Sequence, residues 1–235
     1  MTLDYAGFTK ASTLIHVAQG AGLLLLGAAE AYTLDNPGRK VSLVGPLALL
    51  AAAAAIPLLI LALPGAWNFD QLRLALEVRR GFHIFPAFAC LFGAAGLSRF
   101  AQAAMGRRGG GWQALFLFFL AAAGLLYFFM ASRVNDEAWR QVLVWHAAAG
   151  ATLLLAVAFK TVHVLDGRRF FHIVWAALLM ITALQLLTYK ESPGAFGLRL
   201  VTFEAAPDLP SVAGRPTAKP LPKNAGTADK KRSGH

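Results

Sequence analysis

The chain has one cysteine in 235 residues. Cys90 therefore has no partner, and a disulfide framework is excluded. Charge is scarce: Asp, Glu, Lys and Arg make up 14% of the chain, against about 25% in soluble domains. The motifs of common soluble catalysts are missing. There is no P-loop, no dinucleotide glycine signature, no HExxH and no CxxC, which argues against a standalone hydrolase or nucleotide enzyme. Mid-chain apolar runs contain neither a carboxylate pair nor a Cys/Met ligand set, so a metal transporter finds no support.

Apolar length fills the gap. Hydrophobic residues are 57% of the chain, and a spanning helix needs about 20 of them in a row because its backbone groups must be satisfied internally. Six stretches qualify: Ser12 to Leu34, Val41 to Leu63, Phe82 to Ser98, Trp112 to Ser132, Val142 to Leu165 and Phe170 to Tyr189. The expected fold is all-α, an integral membrane bundle of six transmembrane helices over residues 1–190. Cys90 is read as a small core residue of the third span, and Arg99 as a snorkelling side chain at that span's end. Pro46, Pro57 and Pro64 are expected to bend the second span. The first apolar run is too long for a signal h-region and ends in Glu30 and Tyr32 rather than a small-residue cleavage site, so it is expected to be retained.

Short Gly, Asn and Asp-rich stretches at 35–40, 105–111 and 166–169 are expected to be turns. Residues 64–81 have leucines among charges and are expected to lie at the interface as a short helix, and 133–140 are a polar connection. Residues 191–204, with a few apolar positions, are expected to be a strand or a short surface segment. From Ala205 onward, Pro, Gly and Lys without apolar periodicity predict a disordered basic tail. That tail has no aromatic residue to stack on bases, so nucleic acid is excluded as a partner and membrane lipid is preferred. An even number of spans puts both termini on one side. The basic tail favours the cytoplasmic side of a bacterial inner (plasma) membrane.

Histidine is costly in lipid and should face the bundle interior. Alternating span direction puts His16, His83 and His146 on one membrane side and His163 and His172 on the other. Two stretches echo each other: HVAQGAGLLL (16–25) and HAAAGATLLL (146–155) match at seven of ten positions. In each, a glycine follows the histidine by four residues, His16 with Gly20 and His146 with Gly150, and so shares its helix face. A glycine beside a ligating imidazole leaves room for a flat macrocycle, so the two helices are expected to sandwich a haem, each giving one axial nitrogen. His83 with His146 is the second choice of pair. The plain alternative for each histidine is an interhelical hydrogen bond to Thr, Gln or a backbone carbonyl.

A second echo, RRGFHI (79–84) and RRFFHI (168–173), matches at five of six positions. Arg79 and Arg80 would sit at headgroup level, as topological anchors or as partners for haem propionates, quinone or lipid phosphate. On the other side, Lys160, His163, His172, Arg168 and Arg169 gather cations suited to a quinone oxygen, an anionic headgroup or a proton relay.

Taken together, WHAAAGATLLL, RRFFHI and LIHVAQGAG, in about a third of the chain, resemble the b561-type membrane cytochromes. The resemblance implies bis-histidine haem b and transmembrane electron transfer, with quinol or another small reductant as donor. The chain departs from the family's two pairs of ligands at opposite faces, having three histidines on one side and two on the other. His163 and His172 flank a tight turn, where packed helices about 8–10 Å apart leave no room for a haem. The expected function is a membrane-integral cytochrome b subunit exchanging electrons with a quinone pool or a partner redox subunit. The competing expectation is a non-redox scaffold, assembly subunit or small transporter with structural histidines.

Overall fold

The computed structural model describes residues 5–36, 39–105, 110–192 and 195–196. Most of the 191–204 segment and all of the 205–235 tail lie outside the described residues. Among the described residues eight α-helices follow one another: α1 (Tyr5–Thr33), α2 (Arg39–Ser42), α3 (Val44–Ala62), α4 (Phe69–Val78), α5 (Ile84–Met105), α6 (Gly110–Tyr127), α7 (Asp136–Asp166) and α8 (Arg169–Thr188). Six are long and apolar enough to cross a membrane, α2 and α3 making one continuous span.

The spanning helices close into a ring. Each packs on its chain neighbours in the order α1, α3, α5, α6, α7, α8, and α8 returns to α1. Short connections between antiparallel helices produce this arrangement. It leaves α1 and α7 non-adjacent but parallel, facing each other across the interior. The interior wall is aromatic and leucine-rich, with Phe85, Phe88, Phe92, Phe116, Leu120 and Trp175 fully buried.

The turns use local chemistry. Asn68 caps α4, its side chain accepting from the N–H groups of Asp70 (2.8 Å) and Gln71 (3.3 Å), as an N-cap asparagine does. The short helix expected within 64–81 is α4, with Phe69 at its start and Trp67 just before it exposed. Asn135 precedes α7 and puts Asp136 and Glu137 in its first turn, where the helix dipole favours them. Half of the expected 133–140 connection is therefore helix. Gly167 closes α7 in the left-handed conformation, φ 73°, its N–H donating to the His163 carbonyl, which is why the turn after Asp166 contains glycine.

Three expectations need correction. Cys90 is exposed on the outer surface rather than in the core, because its helix face points away from the ring. Arg99 does not mark the end of its span: α5 continues to Met105, and Arg99 turns inward because Glu30 supplies a carboxylate there. Of the three prolines, Pro57 lies in the interior of α3; Pro46 falls in its first turn and Pro64 beyond its end, positions where no intrahelical N–H is lost.

Candidate functional site

Histidines 16 and 146 meet across the ring. Their Nε2 atoms are 2.8 Å apart, and both residues are almost wholly buried. The other ring nitrogen of each is engaged with its own helix: His16 Nδ1 lies 2.6 Å from the Ser12 carbonyl, and His146 Nδ1 lies 2.7 Å from the Val142 carbonyl. A carbonyl only accepts, so each Nδ1 must be the protonated donor, an assignment made from partners rather than from a visible hydrogen. The two Nε2 atoms then face one another at hydrogen-bonding distance.

Aromatic rings enclose the pair. Tyr189 lies 4.8 Å from the His16 ring and 4.6 Å from the His146 ring. Phe85 is edge-on to His16 at 5.9 Å, and Tyr127 is 6.2 Å from His146. The Tyr127 hydroxyl donates to Gln19 Oε1 at 3.1 Å, leaving Gln19 Nε2 buried without a partner.

A charged lock sits beside the pair. Arg133 and Glu191, both fully buried, are 2.7 Å apart. Arg133 also donates to Ser12 Oγ at 3.0 Å, and Ser12 Oγ donates to Glu191 at 2.6 Å. Since Arg can only donate and carboxylate only accept, this chain has a fixed direction. The Tyr189 hydroxyl donates to the other Glu191 oxygen at 2.8 Å, and burial together with that carboxylate pushes the Tyr189 phenol above its usual range. Phe85 and Phe196 cover the guanidinium at 5.2 and 5.3 Å.

A second centre lies four helical turns away. Glu30 of α1 receives Lys160 of α7 at 2.9 Å, His172 at 3.2 Å, the Trp175 indole at 3.3 Å, and Arg99 of α5. His172 Nδ1 is 3.3 Å from both Lys160 Nζ and His163 Nε2. From His16 to Glu30 is 14 residues, as is His146 to Lys160, or about 21 Å along each helix. Midway on each, Leu23 and Leu153 are fully buried.

The sequence-predicted residues divide clearly. His16 and His146 come together. Lys160, His163 and His172 also come together, but Arg168 and Arg169 do not join them; these are exposed and pair with Asp166 (2.9 Å) and Asp35 (2.5 Å). His83 is not brought to His146, being exposed near α4. Arg80 is exposed, whereas Arg79 is half-buried and braces loops through Asn135 (3.3 Å) and the Phe196 carbonyl. Space beside the two glycines is taken by neighbouring helices: a Cβ on Gly20 would meet the Ala183 carbonyl at 2.9 Å, and one on Gly150 the Gly124 carbonyl at 2.6 Å. They let helices approach.

Sequence reasoning assigns no role to Arg133, Glu191, Ser12 or Gln19, places Arg99 at the interface, and leaves Glu30 open between an interfacial carboxylate and a proton path. For Glu30 a signal existed: its 14-residue distance from His16 repeats between Lys160 and His146. For Arg133 and Glu191, both in connections, none did. Among the described residues no cluster of three or more His, Cys, Asp or Glu is arranged to hold a bare metal ion. Comparison with protein-family models, with curated proteins and with solved structures returns no match.

Proposed function

We propose that this chain is an integral membrane b-type cytochrome, with His16 and His146 as the axial ligands of one haem, exchanging electrons with a quinone pool or a partner redox subunit. The observation that carries the reading is the opposed pair of Nε2 atoms, with both Nδ1 atoms held on backbone carbonyls. A ligating histidine is normally oriented in this way by its second nitrogen. Two protein ligands and no third suit a metal whose remaining positions a macrocycle fills.

The donor set fits the group, but the spacing must change. Metal–imidazole bonds of about 2.0–2.1 Å put two axial nitrogens about 4 Å apart, roughly 1.2 Å more than the observed 2.8 Å. Gly20 and Gly150 do not supply that room, since helices pack on them. The side chains that must yield are Tyr189, Tyr127 and Phe85. When bound, the haem supplies one-electron chemistry. The protein's part is to hold the imidazoles, exclude water with the aromatic enclosure, and set the local field through Arg133 and Glu191.

The first test is a reduced-minus-oxidised optical spectrum of the purified protein beside His16→Ala and His146→Ala. A b-type α-band in the wild type that disappears in both variants supports the reading. Its absence after haem supplementation refutes it. A second reading has its own support: 2.8 Å is a hydrogen-bond distance, so one shared proton also satisfies the pair, giving a colourless scaffold. In that case the protein stays folded without pigment, and losing one imidazole alters stability alone.

A further inference from the structure

A cavity of about 810 Å³ opens on the outer flank of the bundle between α6 and α7. Its mouth is apolar and faces the hydrocarbon, with Phe118 63% and Leu165 82% exposed. Its inner end is polar, lined by Arg99, Gln113, Lys160 and His163. Gln113 is buried, its carboxamide oxygen accepts from Arg99 at 3.3 Å, and its amide nitrogen has no partner.

Charge selects the occupant. No carboxylate lines the cavity among the described residues. Behind it, the Glu30 carboxylate is shared by two basic side chains, Arg99 and Lys160. With Lys160 protonated, the inner end carries one positive charge that Glu30 does not balance, in a medium where unbalanced charge is costly. A ligand with one negative charge on oxygens balances it. The unpaired Gln113 amide adds a donor, and the lipid-facing mouth calls for an attached hydrocarbon chain.

We propose that this cavity is a binding site for one anionic phospholipid, its phosphodiester held by Arg99, Lys160 and Gln113 and an acyl chain laid along Ala121 and Val157. The geometry separates this from non-specific lipid contact, because both cations are held inward by Glu30 instead of lying at an exposed surface. The site stands whether or not the histidine pair binds haem, being about 21 Å from it along α7.

The test uses the full chain in detergent, delipidated, with native mass spectrometry after addition of phosphatidylglycerol or phosphatidylcholine. Arg99→Gln also breaks the Glu30 contact, so the informative variant is Ala114→Trp, which fills the cavity from its wall. Leu58→Trp, on the exposed face of α3, is the control. One phosphatidylglycerol should be retained about tenfold over phosphatidylcholine, the preference expected from one or two basic contacts with an anionic headgroup. Ala114→Trp should abolish that preference and Leu58→Trp should keep it. Equal retention of the two lipids, or a preference that survives Ala114→Trp, overturns the proposal. So does displacement of phosphatidylglycerol by an equimolar neutral quinone or by oleate, since either would make another ligand the better fit.

Discussion

Replacing Gly150 by alanine tests what the glycines of the echoed segments are for. The added Cβ would lie 2.6 Å from the Gly124 carbonyl oxygen and 2.9 Å from the Phe128 ring. Phe128 can rotate, but the backbone oxygen cannot, so α6 and α7 must separate by several tenths of an ångström to regain ordinary contact. Overpacking of this kind costs about 1–3 kcal/mol. Gly93→Ala is the matched comparison: its Cβ meets only Ala53 at 3.6 Å, and removing a mid-helix glycine gains about 0.5–1 kcal/mol. The glycine-to-alanine gain is common to both substitutions, so they should differ by the overpacking cost alone, about 1–3 kcal/mol. Reversible unfolding in mixed micelles, on protein free of added haem, measures the difference. If Gly150→Ala is as stable as Gly93→Ala, the close approach of α6 and α7 is not what this glycine provides, and a role beside a cofactor regains its force.

Three further outcomes follow from the buried charges and the Tyr189 hydroxyl. Glu30→Gln removes the carboxylate shared by Lys160 and Arg99 and should cost about 3–5 kcal/mol, the usual penalty for orphaning a buried charge; unfolding titrations that show less than about 1 kcal/mol would contradict the assigned network. Arg133→Met or Glu191→Leu alone should destabilise by a similar amount, whereas the double variant should recover much of the loss, because it removes both charges from a fully buried pair; a strictly additive double variant would show that the pair is not coupled. Tyr189 has its phenol pushed above its usual value, so the folded state holds that proton more tightly than the unfolded state. Its contribution is complete below about pH 10 and is lost as pH climbs through the raised value. Alkaline unfolding curves of Tyr189→Phe should lack that stage, and identical curves would rule it out.

The six spans were legible because membrane solvent imposes one rule on every backbone group, and apolar length reports it directly. Ends were less legible. The chain could be read as leaving the membrane at Arg99 because a lone arginine after an apolar run is most cheaply placed at the interface. Glu30 changes that balance, and no local pattern shows that a carboxylate 69 residues earlier stands opposite. Arg133 and Glu191 were opaque for a related reason. Each sits in a short polar connection, where sequence alone gives a solvated residue, and only the return of the chain past α8 brings them together.

The echo between residues 16–25 and 146–155 carried more information than its glycines. Its offset of 130 residues is also the offset between Glu30 and Lys160. On α1 the interior positions are His16, Leu23 and Glu30, and on α7 they are His146, Leu153 and Lys160, each set spaced by seven. A seven-residue interval keeps one face of a helix towards a parallel partner when the two cross with a slight left-handed twist. The same register thus brings imidazole to imidazole at one level and carboxylate to ammonium two heptads on. Identity could reveal only the first, since His aligns with His while Glu aligns with Lys. Opposite charges at equivalent positions are what parallel facing helices need, and a search restricted to matching letters discards them. Because both contacts depend on one register, a one-residue deletion between His146 and Lys160, such as removal of Ala151, should rotate Lys160 by about 100° away from Glu30 while leaving His146 in place. Loss of the Lys160 contact with an intact histidine pair, read by cysteine cross-linking at each level in an otherwise cysteine-free chain, is the expected result; simultaneous loss of both would mean that the two levels fold as one unit.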